Sequence, residues 1–339
     1  MAALALLFCA QLHADAEWPQ WEAFKKNFVQ SDGRVIDVTF DGKSTSEGQS
    51  YGLFFALVAN DRAMFDTILN WTSANLAGTE LGNRLPAWYW GRRDDGSWGV
   101  KDTNSAADAD LWTAYALMEA ARLWKAPAYA STGRRLLDQI VAQEVIDAGA
   151  SGTLLLPGPQ GFKLAGGRFR LVPSYYPGFL FRYFAAADPH GPWAKIWNSF
   201  LPLAMKAFSS GIAPDAFVVD SNGQAYPDSE APPVGSYDAI RVYTWAGISD
   251  PQGSELVRKL EPFAALTRKL GQPPEKVDPT NGTVLAASYS PLGYSGALLP
   301  FLRALGDEPT LQRQRDLIEN AALRSRFHLG PHPNYYDQA

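Results

Sequence analysis

Apolar residues in this 339-residue chain recur at helical spacing almost from end to end, and several of the helical stretches are apolar on almost every face. That combination constrains the fold more than any other feature. An amphipathic helix needs cover on one side only, whereas a helix that is apolar all round must be enclosed by other elements. Residues 51–57, continuing a helix that begins near Ser46, and residues 111–124 are of the second kind. Trp21, Phe24 and Phe28 share one face of an earlier helix, and Met64, Phe65, Ile68, Leu69 and Trp71 mark another. Further helices are expected over 129–146, 176–186, 193–208, 239–246, 254–270, 284–305 and 310–324, with no sustained period-2 stretch. The pattern gives about a dozen helices.

Two turn signals qualify this all-α reading. Asp94-Asp95-Gly96 and Ser221-Asn222-Gly223, the latter close behind Phe217-Val218-Val219, predict small β-hairpin decorations. The 24 Pro and 29 Gly punctuate helix junctions instead of gathering in one linker, so residues 17–339 are expected to form a single domain. Paired helices around a centre fit the pattern, as does a helical array. In a double-layered helical barrel the cleft lies where inner helices begin, because their polar first residues face solvent.

The N-terminal residues 1–16 join a short apolar run to Ala14-Asp15-Ala16, the A-x-A pattern of a secretory signal, although the positively charged leader is missing. Cleavage there would remove Cys9, the one cysteine, and with it disulfides and thiol catalysis. No other apolar run approaches the roughly 20 residues that span a bilayer. The expectation is a periplasmic or secreted protein without stable membrane insertion, acting as a monomer. A net charge of -5 and the lack of a basic run give no case for nucleic acid. The 11 Trp imply heavy core packing, planar binding platforms, or both.

Three segments place carboxylates where chemistry could use them. Glu47, in Ser44-Thr45-Ser46-Glu47-Gly48-Gln49-Ser50, stands at the start of an apolar helix. An acid there ordinarily serves the helix dipole or a cap. However, the neighbouring hydroxyls and amides could bond a sugar, Gly48 permits close approach, and the apolar helix behind could raise a carboxyl pKa as a general acid requires. In Asn104-Ser105-Ala106-Ala107-Asp108-Ala109-Asp110, two aspartates two positions apart point in different directions on a helix. Ser105 could cap that helix with Asp110 in its first turn, which leaves Asp108 as the functional candidate. Metal binding would need further ligands, and His190, His328 and His332 offer no ligand spacing. Asp238 and Arg241, in Tyr237-Asp238-Ala239-Ile240-Arg241, could form a surface pair of little consequence, or Arg241 could orient Asp238 and keep it ionised.

With these segments in view, the chain resembles glycoside hydrolase family 8, from about Trp18 to Tyr335-Tyr336-Asp337-Gln338. The family's Ala-[Ser/Thr]-Asp-[Ala/Gly]-Asp signature stands here as Ala106-Ala107-Asp108-Ala109-Asp110, with Ala107 departing from the usual hydroxyl residue. The resemblance implies an (α/α)6 barrel and an inverting hydrolase without metal or cofactor. It matches Glu47 to the general acid, Asp238 to the general base, and Asp108 to the carboxylate that holds and distorts the sugar. Leu85-Pro86-Ala87-Trp88-Tyr89-Trp90 and Pro173-Ser174-Tyr175-Tyr176 resemble cleft segments of cellulose-associated members. Trp88, Trp90, Trp112, Tyr175, Tyr176 and Arg241 are therefore candidate substrate contacts, with Trp112 the most core-like. The implied substrate is β-1,4-glucan, with a role in bacterial cellulose biosynthesis beside a cellulose synthase complex. Chitosan, xylan or mixed-linkage glucan as substrate, or a non-catalytic glucan-binding accessory, remain as alternatives.

Overall fold

The computed structural model describes residues 18–230, 232–249 and 254–324. The expected export segment at 1–16, Cys9, His328, His332 and the tail around Tyr335 lie outside them. Among the described residues run twelve α-helices: α1 Pro19–Phe28, α2 Ser46–Val58, α3 Arg62–Leu76, α4 Ala107–Trp124, α5 Pro127–Gln143, α6 Gly178–Ala187, α7 Trp193–Ala207, α8 Ile240–Ser249, α9 Glu255–Lys259, α10 Glu261–Leu270, α11 Leu292–Leu305 and α12 Glu308–Arg324. Consecutive helices pack as pairs (α2 with α3, α4 with α5, α6 with α7, α11 with α12), and α2–α4, α6–α8 and α8–α11 join the pairs side by side. The architecture is an (α/α)6 barrel.

The two layers follow from the two kinds of helix in the sequence. In α5 the buried residues are Gly133, Leu136, Leu137 and Ile140, a single stripe at helical spacing, as befits an outer helix. In α4 every residue from Ala107 to Ala114 is buried, so the N-terminal half of this helix is enclosed on all sides. Close approach of α8 to α11 requires Gly247: a Cβ there would lie 2.6 Å from Phe301 Cα, inside any permitted contact. A second apolar cluster gathers Trp21, Phe24 and Phe28 of α1 against Leu53, Ala56, Phe65 and Ile68. No helix among the described residues is long and apolar enough to cross a membrane.

Among the described residues eleven short strands form four antiparallel sheets. Strands β1 (Ser44–Thr45), β2 (Tyr89–Arg92) and β3 (Trp98–Asp102) make one sheet, and β4 (Val145–Asp147) pairs with β5 (Thr153–Leu155). Strands β6 (Lys163–Leu164), β7 (Arg168–Leu171), β8 (Phe217–Asp220) and β9 (Ala225–Pro227) make a four-stranded sheet, and β10 (Lys276–Val277) pairs with β11 (Val284–Ala286). The two expected hairpins are β2–β3 and β8–β9. The rest of the strand content departs from the expectation of helix alone.

Several helix ends also differ, each for a local reason. The helix expected over 129–146 ends at Gln143, and its last residues enter β4. That over 176–186 starts at Gly178, because Pro177 disfavours helical geometry in the residue before it. The stretch 254–270 divides at Leu260, where Pro262, lacking an N–H, sits in the first turn of a new helix. Residues 284–286 are strand, and α11 begins only after Pro291.

Candidate active site

The sheet β1–β2–β3 sits where two inner helices begin. Strand β1 runs directly into α2, and β3 leads through Thr103–Ala106 into α4, so Glu47 and Asp108 stand in the first turns of neighbouring helices. Thr45 caps α2, its Oγ1 accepting from Gly48 N at 3.1 Å. The hydroxyl and amide groups expected to face a sugar instead fix this turn. Ser44 Oγ donates to Val35 O (2.6 Å) and accepts from Arg34 Nε (2.9 Å). Gln49 accepts from Val35 N (2.6 Å) and donates to Gly33 O (3.2 Å) and Thr72 Oγ1 (2.9 Å). Both side chains are buried, which removes them from ligand contact.

At α4 the expected cap is also replaced. Ala106 occupies the N-cap position without a side-chain bond, and Ser105 donates to Glu144 Oε1 at 2.5 Å. Ala107 N is held by Pro157 O at 2.9 Å, and Asp108 Oδ1 accepts from its neighbour's amide, Ala109 N, at 2.8 Å. The segment carrying Asp238 is held from beneath by Asp215. Asp215 Oδ1 accepts from Ser236 N (2.7 Å) and Ala239 N (2.9 Å), while Oδ2 accepts from Ser236 Oγ (2.5 Å).

These supports bring all three carboxylates to one guanidinium. Arg241 Nη1 donates to Glu47 Oε1, to Asp108 Oδ2 at 3.2 Å and to the Tyr51 hydroxyl at 3.1 Å. Its Nη2 donates to Asp238 Oδ1 at 2.6 Å and Ser174 Oγ at 3.3 Å. Ser174 is itself positioned by Trp245 Nε1, which donates to its carbonyl at 2.8 Å. The surface-pair reading of Asp238 and Arg241 is therefore replaced by a network from four segments of chain. An Arg fork can serve several oxygens at fixed angles, which a lysine point charge cannot.

The three acids differ sharply in environment. The Asp108 side chain is 4% exposed and that of Asp238 51%. Burial, reinforced by the charge of Glu47 and opposed by Arg241, pushes Asp108 up to about 7. Glu47 rests on Arg241 and receives a long bond from Tyr51 (3.4 Å). Behind Asp108, burial and the charge of Glu144 raise Asp110, and burial pushes Glu144 up to about 8.

The aromatic candidates divide. Tyr175 lies against the network, with its ring centroid 5.8 Å from Arg241 Cζ. Trp88 and Trp90 are half-buried on and beside β2; Trp90 stacks on Trp98 at 5.3 Å with Arg34 4.1 Å from its ring centroid. Trp112 and Tyr176 are corrections. Trp112 is 6% exposed, wedged among Tyr51, Phe54, Phe179 and Trp245, because it projects from an enclosed helix. Tyr176 is 2% exposed, stacked on Phe200 at 3.8 Å with its hydroxyl bonded to the Leu155 backbone. Sequence reasoning missed Tyr51, Ser174, Asp215 and Glu144. Tyr51 could have been found, since it stands one turn after Glu47, and Ser174, since it adjoins Tyr175 in a segment already singled out; Asp215 and Glu144 carry no local signal.

An (α/α)6 barrel that gathers three carboxylates from separate segments at the start of its inner helices, with indole and phenol rings beside them, is built as a glycoside hydrolase. Residues 1–315 match the family model described as Glycosyl hydrolases family 8. The chain is 43% identical over 319 residues to an endoglucanase of Escherichia coli O157:H7, covering 93% of this chain and 85% of that protein. It is 45% identical over 325 residues to an endoglucanase of Xanthomonas axonopodis pv. citri, covering 94% and 83%. The crystal structure of endo-1,4-D-glucanase from Vibrio fischeri superposes with a TM-score of 0.84 at 39% identity, covering 95% of this chain and 92% of that one. The chain belongs to glycosyl hydrolase family 8.

Proposed function

We propose that this enzyme is an inverting endo-β-1,4-glucanase acting on cellulose-type glucan, with Glu47 as general acid and Asp238 as general base. The observation that carries the reading is the meeting of Glu47, Asp108 and Asp238 on Arg241. Its substrate class is supported by relatives of 43% and 45% identity that are named endoglucanases.

In this mechanism Glu47 gives its proton to the glycosidic oxygen of the leaving sugar. Arg241 and Tyr51 then stabilise the carboxylate left behind, as charge-assisted bonds do. Asp238, with the most exposed side chain of the three, takes the proton of a water attacking the opposite face of the ring. Inversion calls for roughly 6.5–9.5 Å between acid and base to admit that water. Asp108, deep in the cleft floor, accepts from the hydroxyls of the sugar at the cleavage point and favours a distorted ring. Tyr175 and Trp88 offer flat faces to neighbouring glucose units, with Trp90 held beside them by Arg34 and Trp98.

The same reading places the enzyme in the periplasm or outside the cell, as a monomer, trimming glucan during cellulose biosynthesis beside a synthase complex. Its supports are the apolar run and Ala14-Asp15-Ala16 pattern at the N-terminus and the resemblance to cellulose-associated members. Solved structures of a β-1,3-1,4-glucanase (16% identity) and an exo-oligoxylanase (21% identity) share the fold alone.

Glu47→Gln and Asp238→Asn test the assignment. Each variant should fold, bind cello-oligosaccharide and lose hydrolysis; most of the activity surviving in a folded variant would remove that residue from its role. Reducing-sugar release from carboxymethylcellulose, chitosan, xylan and mixed-linkage glucan, side by side, reads the substrate class.

A further inference from the structure

The sheet at the mouth of the cleft carries a cavity of about 400 Å3 that the hydrolytic mechanism leaves unused. It is lined by Lys43 from the turn before β1, by Arg92 and Arg93 at the end of β2, and by Lys101 of β3, with Asp41 as the one acid in its wall. Four cations converging in one hollow is an unfavourable arrangement unless something offsets it, and the whole chain has a net charge of -5. Some cations elsewhere have acids beside them, as Lys25 has Glu22 and Asp61, Arg122 has Glu119, and Arg268 has Glu261 and Asp307. Among the described residues, Lys43, Arg92, Arg93 and Lys101 enter no such ion pair. Lys43 instead lies 4.4 Å from the Phe40 ring centroid and Lys101 5.5 Å from that of Tyr89, contacts that hold the ammonium groups without neutralising them.

Two further features suit a sugar polymer. Phe40 and Trp98 are 56% and 46% exposed at this cavity, large rings turned to solvent on a chain that buries most of its aromatics. Gly91 and Gly99 face each other across β2 and β3, and the absence of a Cβ at Gly99 lets the Arg93 guanidinium lie flat on the sheet. The cavity's wall is joined to the catalytic helix by a short stretch of chain. Lys43 stands four positions before Glu47, a backbone reach of at most about 14 Å. A glucan bound at Glu47 can therefore extend a few rings onto this sheet.

We infer that the cavity binds acidic substituents of a β-glucan, gripping a negatively charged group several sugars from the bond that is cut. The inference rests on the glucan reading above and adds a preference to it: acid-bearing chains should be held more tightly than neutral ones. A concave cationic wall focuses its field on such a group, and the attraction must weaken with salt.

The test compares wild type with Lys43→Gln/Lys101→Gln on carboxymethylcellulose and on neutral hydroxyethylcellulose of matched length and substitution. At low salt the double variant should raise KM for the acidic polymer about tenfold, as loss of two charge-assisted contacts implies. It should leave kcat and the neutral polymer unaffected, and high salt should erase the difference. Equal KM changes on both polymers, or none on the acidic one, would overturn the inference. Affinity electrophoresis in gels containing carboxymethylcellulose reads binding without cleavage, and wild type should be retarded more than the variant. Equal retardation contradicts the site, and equally strong retardation of wild type by polyglutamate would assign the surface to acidic polypeptides instead. A wild-type protein that is retarded but cleaves neither polymer would retain the site and remove the glucanase reading.

Discussion

Asp238 and Arg241, three residues apart at the start of α8, face each other at 2.6 Å, and the same guanidinium reaches Glu47 and Asp108. Arg241 is thus the common partner of the three acids. Arg241→Lys keeps the charge and loses the fork. Its kcat/KM should fall about 100-fold, because small misplacements of reacting groups cost that much, while its melting temperature stays within a few degrees. A folded Arg241→Lys enzyme of near wild-type rate would show that the fork does not organise the acids.

Buried acids behind the site make stability depend on pH. Asp108 (about 7), Glu144 (about 8) and Asp110 are all raised by burial. Unfolded, such groups titrate near pH 4. Between those values the folded protein holds protons that the unfolded chain has released, so stability falls as pH rises from about 4 to about 8. Melting temperatures should decline across that window. Glu144→Gln should flatten the decline, since the amide oxygen can still accept from Ser105; an unchanged slope would contradict the shared origin.

The two aromatic corrections separate stability from binding. Trp112→Ala should cost about 3–5 kcal/mol, the range for emptying an aromatic core site, measured by urea unfolding. Trp88→Ala should leave unfolding nearly unchanged and raise KM for cello-oligosaccharides. The reverse pattern would exchange their roles.

Gly247→Ala tests the close crossing of α8 and α11. Its methyl would press on the Pro300–Phe301 backbone, which has little freedom to yield. Destabilisation of at least about 1–3 kcal/mol is expected; an unchanged unfolding midpoint would mean the helices can separate without loss.

How far the sequence reached can be judged residue by residue. The enclosure of the first turns of α4 was legible because the helix is apolar nearly all round, and the two hairpins because Asp95-Gly96 and Asn222-Gly223 mark their turns. Strands β6 and β7 were not, since residues 163–171 alternate weakly; β6 pairs only with β7, and β7 is held on its other side by 217–220. Glu47, Asp108 and Asp238 could be singled out from their local segments, but the convergence on Arg241 joins positions up to 194 residues apart. Tyr176 was misjudged for a related reason, and Trp112, the most core-like of the candidates, lies in the core. Ring type is visible in a sequence, whereas which face of the barrel wall a ring meets depends on partners such as Phe200 and Trp245. Asp215 and Glu144 support the site wholly through tertiary hydrogen bonds.

The central claim is that Glu47 and Asp238 act on opposite faces of the sugar, one giving a proton and the other activating water. Proton NMR of cellopentaose during the first moments of cleavage tests it most directly. The account predicts that the new reducing ends appear first in the α configuration, then mutarotate; β-configured ends appearing first would contradict it.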